Sequence, residues 1–116
     1  MSGWTSVTAK DLYRWTQCLH GEKLINRQSL IEILEPFAAG KQAGLGGGRH
    51  ENGVLKEHYH QGTSFDFEAL MYSEIAPELT IILLTNNKNS KVFEIKDAIK
   101  KILDGKPYEK PTKKAL

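Results

Sequence analysis

The spacing of apolar residues predicts a helix near the beginning of the chain. Apolar side chains, among them Trp15, recur at helical intervals. Thr8 and Asp11 have the spacing of a capping box, in which the hydroxyl accepts a backbone N–H of the first turn. Glycine often follows the last residue of a helix, and Gly21 is well placed to do so. We therefore predict a helix over residues 9–20, with Trp15 as a core anchor.

The same signals predict two more helices. Asn26 is a suitable N-cap for a second, shorter helix, and Pro36 ends it because proline disfavours a helical residue before it. Near the C-terminus, Asn89 or Ser90 can cap a last helix that Gly105 ends. The apolar stripe of that helix consists of Val92, Ile95, Ile99, Ile102 and Leu103.

The middle of the chain is typical of β-strands. Asn52-Gly53 is a strong hairpin signal, because both residues tolerate a positive φ. With these two residues at the turn, Glu51 is expected opposite Val54, and Leu45 opposite His60. The same register predicts that His60 is solvent-accessible at the end of a strand.

A second pair of strands follows this hairpin. Residues 65–72 alternate in polarity, and their apolar face is expected to consist of Phe65, Phe67, Ala69 and Met71. After a turn at Pro77-Glu78, residues 79–84 are apolar on both faces, which is typical of a central strand. The predicted fold class is therefore α+β: an antiparallel β-meander of about four strands, with a C-terminal helix packed on the sheet and two short N-terminal helices.

The hydrophobic pattern ends near residue 104. Residues 1–104 form one domain with a modest core, and residues 105–116 are a Lys- and Pro-rich tail that we expect to be flexible. The formal net charge is +2 and the basic residues are scattered, which disfavours a nucleic-acid-binding surface. No apolar run has membrane-spanning length. The single cysteine, Cys18, cannot form an internal disulfide.

The histidines are candidates for a metal site. Because side chains alternate along a strand, His58 and His60 are expected to share one face, and His50 to lie on the other. Two histidines two residues apart can share a metal ion, but zinc needs a third ligand. No cysteine or carboxylate has a matching spacing, and His20 at a helix end is explained by the helix dipole. We therefore predict neither a metal site nor a cofactor.

A second candidate is the stretch from His60 to Thr63, where two β-prone runs meet. His60 can carry or share a proton near neutral pH. Gly62 allows another chain or a substrate to approach the backbone closely. The N–H of Thr63 would then point along an open strand edge, which suits an anion or an oxyanion. The predicted site residues are His60, Gln61, Gly62 and Thr63.

The order of motifs along the chain is distinctive. The helix start Thr8-Ala9-Lys10-Asp11-Leu12 is followed by Gly44-Leu45-Gly46, by His60-Gln61-Gly62 and then by Leu84-Thr85-Asn86. This succession resembles the C-terminal part of the serine β-lactamase-like family, which includes class C β-lactamases, penicillin-binding proteins and related esterases. The resemblance covers residues 3–104. It implies hydrolysis of a β-lactam, a peptide or an ester by a longer parent protein.

The resemblance also implies roles for individual residues. His60 would help to bind a substrate carboxylate or polarise a proton network, and the Thr63 N–H would be one oxyanion donor. The family's nucleophile is the serine of Ser-x-x-Lys, with a Tyr-x-Asn nearby, and neither pattern occurs in this chain. The isolated chain is therefore expected to be inactive. We call residues 60–63 the box, after the Lys-Thr-Gly or His-x-Gly box of the family. Residues 63–67 lack the further glycines of the family pattern, which weakens the link to β-lactam substrates.

Two functions from different classes remain open. The first is a C-terminal fragment of a serine hydrolase, whose partner is the missing N-terminal part of the same domain. The resemblance is compatible with an exported parent in the periplasm or cell envelope. The alternative is a non-catalytic α+β module that binds a peptide along an exposed edge strand. Because one helix can cover only one face of residues 79–84, the exposed sheet would also favour a homodimer.

Overall fold

The computed structural model describes residues 5–36, 38 and 45–112. Predictions about the residues before Thr5, about Gly44 and about residues 113–116 lie outside this part of the chain. In chain order the elements are α1 (Ala9–His20), α2 (Arg27–Leu34), β1 (Gly47–Glu51), β2 (Val54–Ser64), β3 (Phe67–Glu74), β4 (Leu79–Thr85) and α3 (Val92–Leu103).

Helix α1 has the boundaries that the sequence predicts. The Oγ1 of Thr8 accepts the N–H of Asp11 at 3.1 Å, and the Asp11 carboxylate accepts the Thr8 hydroxyl at 2.8 Å. The predicted glycine is the C-cap. The prediction for Trp15 is wrong, since this side chain is 38% exposed. The buried face of α1 is formed by Thr16 and Leu19, and Trp15 lies to one side of it.

Helices α2 and α3 also form where they are predicted. The Oδ1 of Asn26 accepts the N–H of Ser29 at 2.9 Å, and α2 ends just before Pro36. At the start of α3, Lys91 is the N-cap, and the Oδ1 of Asn89 accepts its N–H at 2.9 Å. The predicted N-cap of α3, Asn89 or Ser90, is therefore wrong, although the Asn89 side chain accepts the N–H of the N-cap residue.

The four strands form one antiparallel sheet in the order β1-β2-β3-β4, and α3 packs on it. The predicted α+β class and the meander are thereby confirmed. Asn52 and Gly53 have φ of 51° and 76°, the two positive values that a type I′ turn requires. Glu51 lies opposite Val54, as the turn predicts.

A β-bulge in the first hairpin changes the predicted register. The pairing of β1 with β2 shifts between Arg49 and His50. As a result, Leu45 is not the strand partner of His60: it precedes β1, and Gly46 instead approaches the His60 ring. His60 also does not end a strand, because it lies well inside β2 and is half-buried.

The bulge also changes which histidines share a face. An extra residue in one strand reverses the alternation of side chains beyond it. His50 is paired with Leu55, which packs against the cluster under α1 and α2. The prediction that His50 lies on the face opposite His58 is therefore wrong, and His50 and His20 border the same hollow between α2 and the first hairpin. The prediction that His58 and His60 share a face agrees with their edge-on ring contact.

Helix α3 covers one face of the sheet with an apolar core. The buried members of this core are Leu70, Tyr72, Ile81 and Val92. The predicted apolar face of β3 is wrong at its beginning, because Phe65 is 92% and Phe67 60% exposed. Met71 is buried as well, on the other face, so β3 is buried on both sides.

Helix α1 covers part of the opposite face. Leu19 packs with Leu30 and Leu34 in a second, smaller cluster. The Nε2 of Gln17 lies 3.5 Å from the Oγ1 of Thr80 in β4. Helix α1 therefore covers part of the face of residues 79–84 that the C-terminal helix cannot reach, although Leu84 remains 42% exposed.

The chain after α3 is exposed. Residues 104–110 contribute nothing to either apolar cluster, in agreement with the predicted tail, whose flexibility stays a prediction. Cys18 is half-buried on α1. Within the part of the chain that the structure describes, each helix is too short or too polar to span a bilayer.

Candidate functional site

The four predicted site residues lie in the second half of β2. The pairing of β2 with β1 ends at Tyr59, whereas its pairing with β3 continues to Ser64. Among the described residues, no strand pairs with the outer side of residues 61–64, which we call the open edge. Gln61, Gly62 and Thr63 are all exposed.

The hairpin between β2 and β3 determines where the backbone groups of the open edge point. Ser64 lies opposite Phe67 across a two-residue loop, and such a closing pair exchanges both of its backbone hydrogen bonds. Hydrogen-bonded and non-hydrogen-bonded pairs alternate along antiparallel strands. The next hydrogen-bonded pair inward is therefore Gly62 with Ala69. By the same geometry, the N–H of Thr63 points away from β3, which is the direction that an oxyanion donor needs.

A buried carboxylate supports the open edge from β3. Glu68 lies opposite Thr63 and is only 2% exposed. Its carboxylate accepts the Gln61 amide at 3.1 Å and the backbone N–H of Ser90 at 3.0 Å. Glu68 thus connects the open edge to the loop before α3. Alternation alone placed Glu68 on the polar face of this strand and gave no sign of its burial.

His60 is half-buried beneath Gly46. Gly46 has φ of 80°, and a Cβ at this position would lie 2.5 Å from the Nε2 of His60, so only glycine allows so close a contact. The same Nε2 is buried and has no hydrogen-bond partner among the described residues. The imidazole of His60 therefore lies on the α1 face of the sheet, apart from the outward backbone groups of the open edge.

The His60 ring is one of three neighbouring imidazoles. Its centroid lies 5.1 Å from that of His58, which lies 5.2 Å from that of His20 on α1. His58 is completely buried, and its Nε2 lies 2.7 Å from the carbonyl oxygen of Leu45. A carbonyl can only accept, so His58 Nε2 carries a proton. In neutral His58 the Nδ1 is then an acceptor, and it faces the Nε2 of His20 at 3.2 Å.

Burial lowers the pKa of all three histidines. For His58 the effect of burial is partly offset by the Leu45 carbonyl, and the pKa falls to about 4. Burial likewise lowers the pKa of His60, against the opposing effect of the same carbonyl. For His20 the lowering by burial is opposed by the carboxylate of Glu78. At neutral pH, burial therefore favours the uncharged form of each ring.

In the sequence, His20 was explained only by its position at the end of α1. In the structure its ring contacts that of His58, which lies 38 residues further along the chain. Thr16, Leu19 and His20 lie at i, i+3 and i+4 on one face of α1, and this periodicity could have indicated the contact. Within residues 5–36, 38 and 45–112, no group of three His, Cys, Asp or Glu side chains is arranged to hold a metal ion.

A second polar cluster, which we call the carboxylate network, lies on the α3 face. The Tyr72 hydroxyl lies 2.9 Å from Glu57 and 2.8 Å from Glu74. Lys100 donates to this hydroxyl at 3.1 Å and pairs with Glu74, while Arg49 pairs with Glu57 at 3.2 Å. Burial and the two carboxylates raise the pKa of Tyr72. Burial opposes ionisation of Glu57, but hydrogen bonds from Arg49 and Tyr72 outweigh it and lower the Glu57 pKa.

A hollow of about 370 Å³ lies between α2 and the first hairpin. Its apolar wall consists of Leu30, Ile31, Leu34, Val54, Leu55 and Ile75. Its polar rim mixes acidic and basic side chains, and Arg27 there is 3.5 Å from Glu22. The volume suits a small ligand, but this rim indicates no particular ligand chemistry.

No protein-family model, curated protein or solved structure matches this chain. Inference about its function therefore depends on the open edge, the three histidines and the order of motifs along the chain.

Proposed function

We propose that this chain is the C-terminal part of a β-lactamase-like serine hydrolase, and that residues 60–63 contribute the sheet-edge part of its active site. The observation that carries the proposal is the open edge, whose Thr63 N–H is directed away from β3 by the hairpin geometry. The succession of motifs supports it, because the box, the Leu84-Thr85-Asn86 strand end and a C-terminal helix follow one another in the resembled order.

Each residue of the box has a role in this proposal. The N–H of Thr63 donates to the oxyanion that forms when an acyl carbon is attacked. Gly62 leaves room for the substrate, since nothing lies within 4 Å of where its Cβ would be. The side-chain amide of Gln61 donates to the Glu68 carboxylate, and this hydrogen bond helps to fix the position of residues 60–63. His60 helps to position strand β2 from the α1 face, because its ring packs against Gly46.

The substrate in this proposal is an ester, a peptide or a β-lactam, and the reaction is acyl transfer to water. The chain contains neither Ser-x-x-Lys nor Tyr-x-Asn, so the nucleophile and its base belong to a preceding part of the parent protein. The partner of this chain is then that N-terminal part, and the isolated chain is inactive.

The experiment is expression of the chain together with its upstream reading frame, followed by assays with a short-chain aryl ester and a chromogenic β-lactam. The longer protein is expected to turn over one of them. Thr63→Pro removes one oxyanion donor and should lower kcat by about 10²–10³-fold. Ser64→Ala is the matched control and should keep kcat. An upstream frame without the two missing motifs, or full turnover by Thr63→Pro, would refute the proposal.

A second candidate, a non-catalytic module that binds an extended peptide, is favoured by one observation. Phe65 and Phe67 are 92% and 60% exposed directly beside the open edge, where a bound strand could cover them. Titration with an apolar peptide, followed by amide NMR, tests it. Shifts confined to residues 61–67 and lost in Thr63→Pro would support this candidate, and unchanged spectra would exclude it for the peptide tested.

A further inference from the structure

Helix α1 is held on the sheet by apolar and by polar contacts. The apolar contribution comes from the small cluster of Leu19, Leu30 and Leu34, which is separate from the core under α3. The polar contacts from α1 to the sheet are Gln17 with Thr80 at 3.5 Å and His20 with His58 at 3.2 Å. Among the described residues, the histidine contact is thus one of the two side-chain hydrogen bonds that join α1 to the sheet.

The number of protons on the two facing rings decides whether this contact can form. His58 Nε2 donates to Leu45, so neutral His58 presents a bare Nδ1 to His20. His20 then donates its Nε2–H, and it can take up one more proton at Nδ1 without disturbing the contact. If His58 Nδ1 is protonated at the same time, the N–H of His58 Nδ1 and the N–H of His20 Nε2 face each other across 3.2 Å, and neither can accept. Relative to two neutral rings, the contact can therefore accommodate one additional proton, but a second additional proton breaks it.

The surroundings of the contact do little to compensate a second charge. His60 lies beside His58 on the same strand and adds positive charge when protonated. Across the sheet, His58 meets the uncharged Ser73 in β3 and Gly48 in β1. His20 borders two hollows, whose other titratable side chains are Glu74 and Glu78 in one and Glu22, Arg27, Glu35 and His50 in the other. Of these, Glu78 stabilises a proton on His20 but not on the buried His58.

We propose that the contact between His20 and His58 is a pH-sensitive latch, which holds α1 on the sheet at neutral pH and releases it in mild acid. Release would free both rings to take up protons in water. The latch goes beyond the proposed hydrolase function and does not depend on it. Leu45 accepts from His58 and donates its N–H to Ile33 in α2, so release would also loosen the chain next to Gly46 and His60.

The test is hydrogen exchange of the full chain at pH 7 and pH 5, in EDTA and corrected for intrinsic exchange rates. We consider first the case in which only the pKa of His58 changes, from about 4 when α1 is docked to the ordinary value of 6.5 when α1 is released. The equilibrium constant for opening of the α1 amides then rises about 20-fold between pH 7 and pH 5. The amides of α3 serve as the internal reference and should change far less, because the carboxylate network contains no histidine.

Two variants make the test specific. In His20→Gln, the side-chain amide can turn its oxygen towards a protonated His58, so the rise should be smaller than in the unmodified chain, although burial still lowers the His58 pKa. His50→Gln is the matched control, since His50 borders the same hollow as His20 but makes no contact with His58, and it should keep the full rise. The pH at which the His58 ring titrates, followed by NMR in the unmodified chain, should coincide with the loss of α1 protection.

Three results would overturn the latch. The first is loss of protection in α1 and α3 together, with the same pH dependence, which indicates global unfolding. The second is a full rise in His20→Gln. The third is a pH step that is seen only without EDTA, which would assign the contact to a bound metal ion.

Discussion

On the α3 face of the sheet, the buried side chains are apolar apart from Glu68, and the neighbouring charged groups are paired with opposite charges. On the α1 face, the sheet buries the apolar Met71 but also His58 and Ser73, and His20 of the helix contacts His58. The α3 face is therefore a hydrophobic core bordered by paired ions, whereas the α1 face includes polar contacts that depend on the position of single protons. The first arrangement keeps its contacts over a wide pH range, whereas the second depends on which nitrogen carries a proton.

The two faces should lose stability in different pH ranges. The pKa of His58 is lowered to about 4, so its contribution is complete above the ordinary histidine value of 6.5 and is lost as the pH falls from 6.5 towards 4. The pKa of Glu57 is lowered from 4.5, so its contribution is present above 4.5 and is lost only at lower pH. Acid is therefore expected to weaken the α1 face before the α3 face.

The largest expected effect is that of Leu70→Ala, which removes a fully buried side chain from the α3 core. The cavity and the lost burial should lower the free energy of unfolding by about 2–5 kcal/mol. When Leu70→Ala is denatured with urea and followed by circular dichroism and by amide exchange, both faces of the sheet should unfold together. Leu34→Ala, in the cluster under α1, should instead raise exchange in α1 and α2 well before α3 is affected. Equal effects of the two variants on all three helices would contradict the separation of the faces.

The next effect is that of Gly46→Ala, on the α1 side. The new Cβ would meet the His60 ring at 2.5 Å, and φ of 80° is strained for any L side chain. We expect a loss of about 1–3 kcal/mol in the free energy of unfolding. The matched control is Gly62→Ala, where the Cβ meets nothing within 4 Å. Thermal unfolding of both variants checks this, and an unchanged Tm in Gly46→Ala would mean that His60 is not packed under this turn.

A smaller effect is expected for Tyr72→Phe, on the α3 side. The change removes a hydroxyl that lies within hydrogen-bond distance of Glu57 and Glu74. The expected cost at pH 7 is about 1 kcal/mol, because Arg49 and Lys100 still pair with the two carboxylates. The pKa of Glu57 should rise, since one of the hydrogen bonds that lower it is lost. Carboxyl NMR titration measures this shift, and an unchanged Glu57 pKa would show that the nearby cations Arg49 and Lys100 lower it without help from Tyr72.

The smallest effect is predicted for Phe65→Gly, outside both covered faces. Phe65 has φ of 51° in the two-residue loop between β2 and β3 and is 92% exposed. Glycine suits a first loop residue with positive φ, so the variant should be more stable by about 0.5–1 kcal/mol. Chemical denaturation with Phe67→Ala as the comparison checks this. A loss of stability in Phe65→Gly would mean that the aromatic ring has a packing role in this chain.

The sequence by itself determined the elements whose signals are local. Thr8 and Gly21 bound α1, and Asn52-Gly53 closes the first hairpin with two positive φ values. Such caps and turns depend on residues a few positions apart, so no knowledge of the packing is needed to recognise them. The box from His60 to Thr63 was instead predicted where two β-prone runs meet, whereas the structure has it inside β2.

The tertiary structure alone decided the contacts that join distant residues. The bulge between Arg49 and His50 moved Gly46 onto His60, and no turn signal in the sequence marks it. The contact of His20 with His58 and the burial of Glu68 depend on how α1 and the loop before α3 pack on the sheet. A one-residue change of register reverses every side chain beyond it, so alternation can define the two faces of a strand, but only packing decides what each face meets.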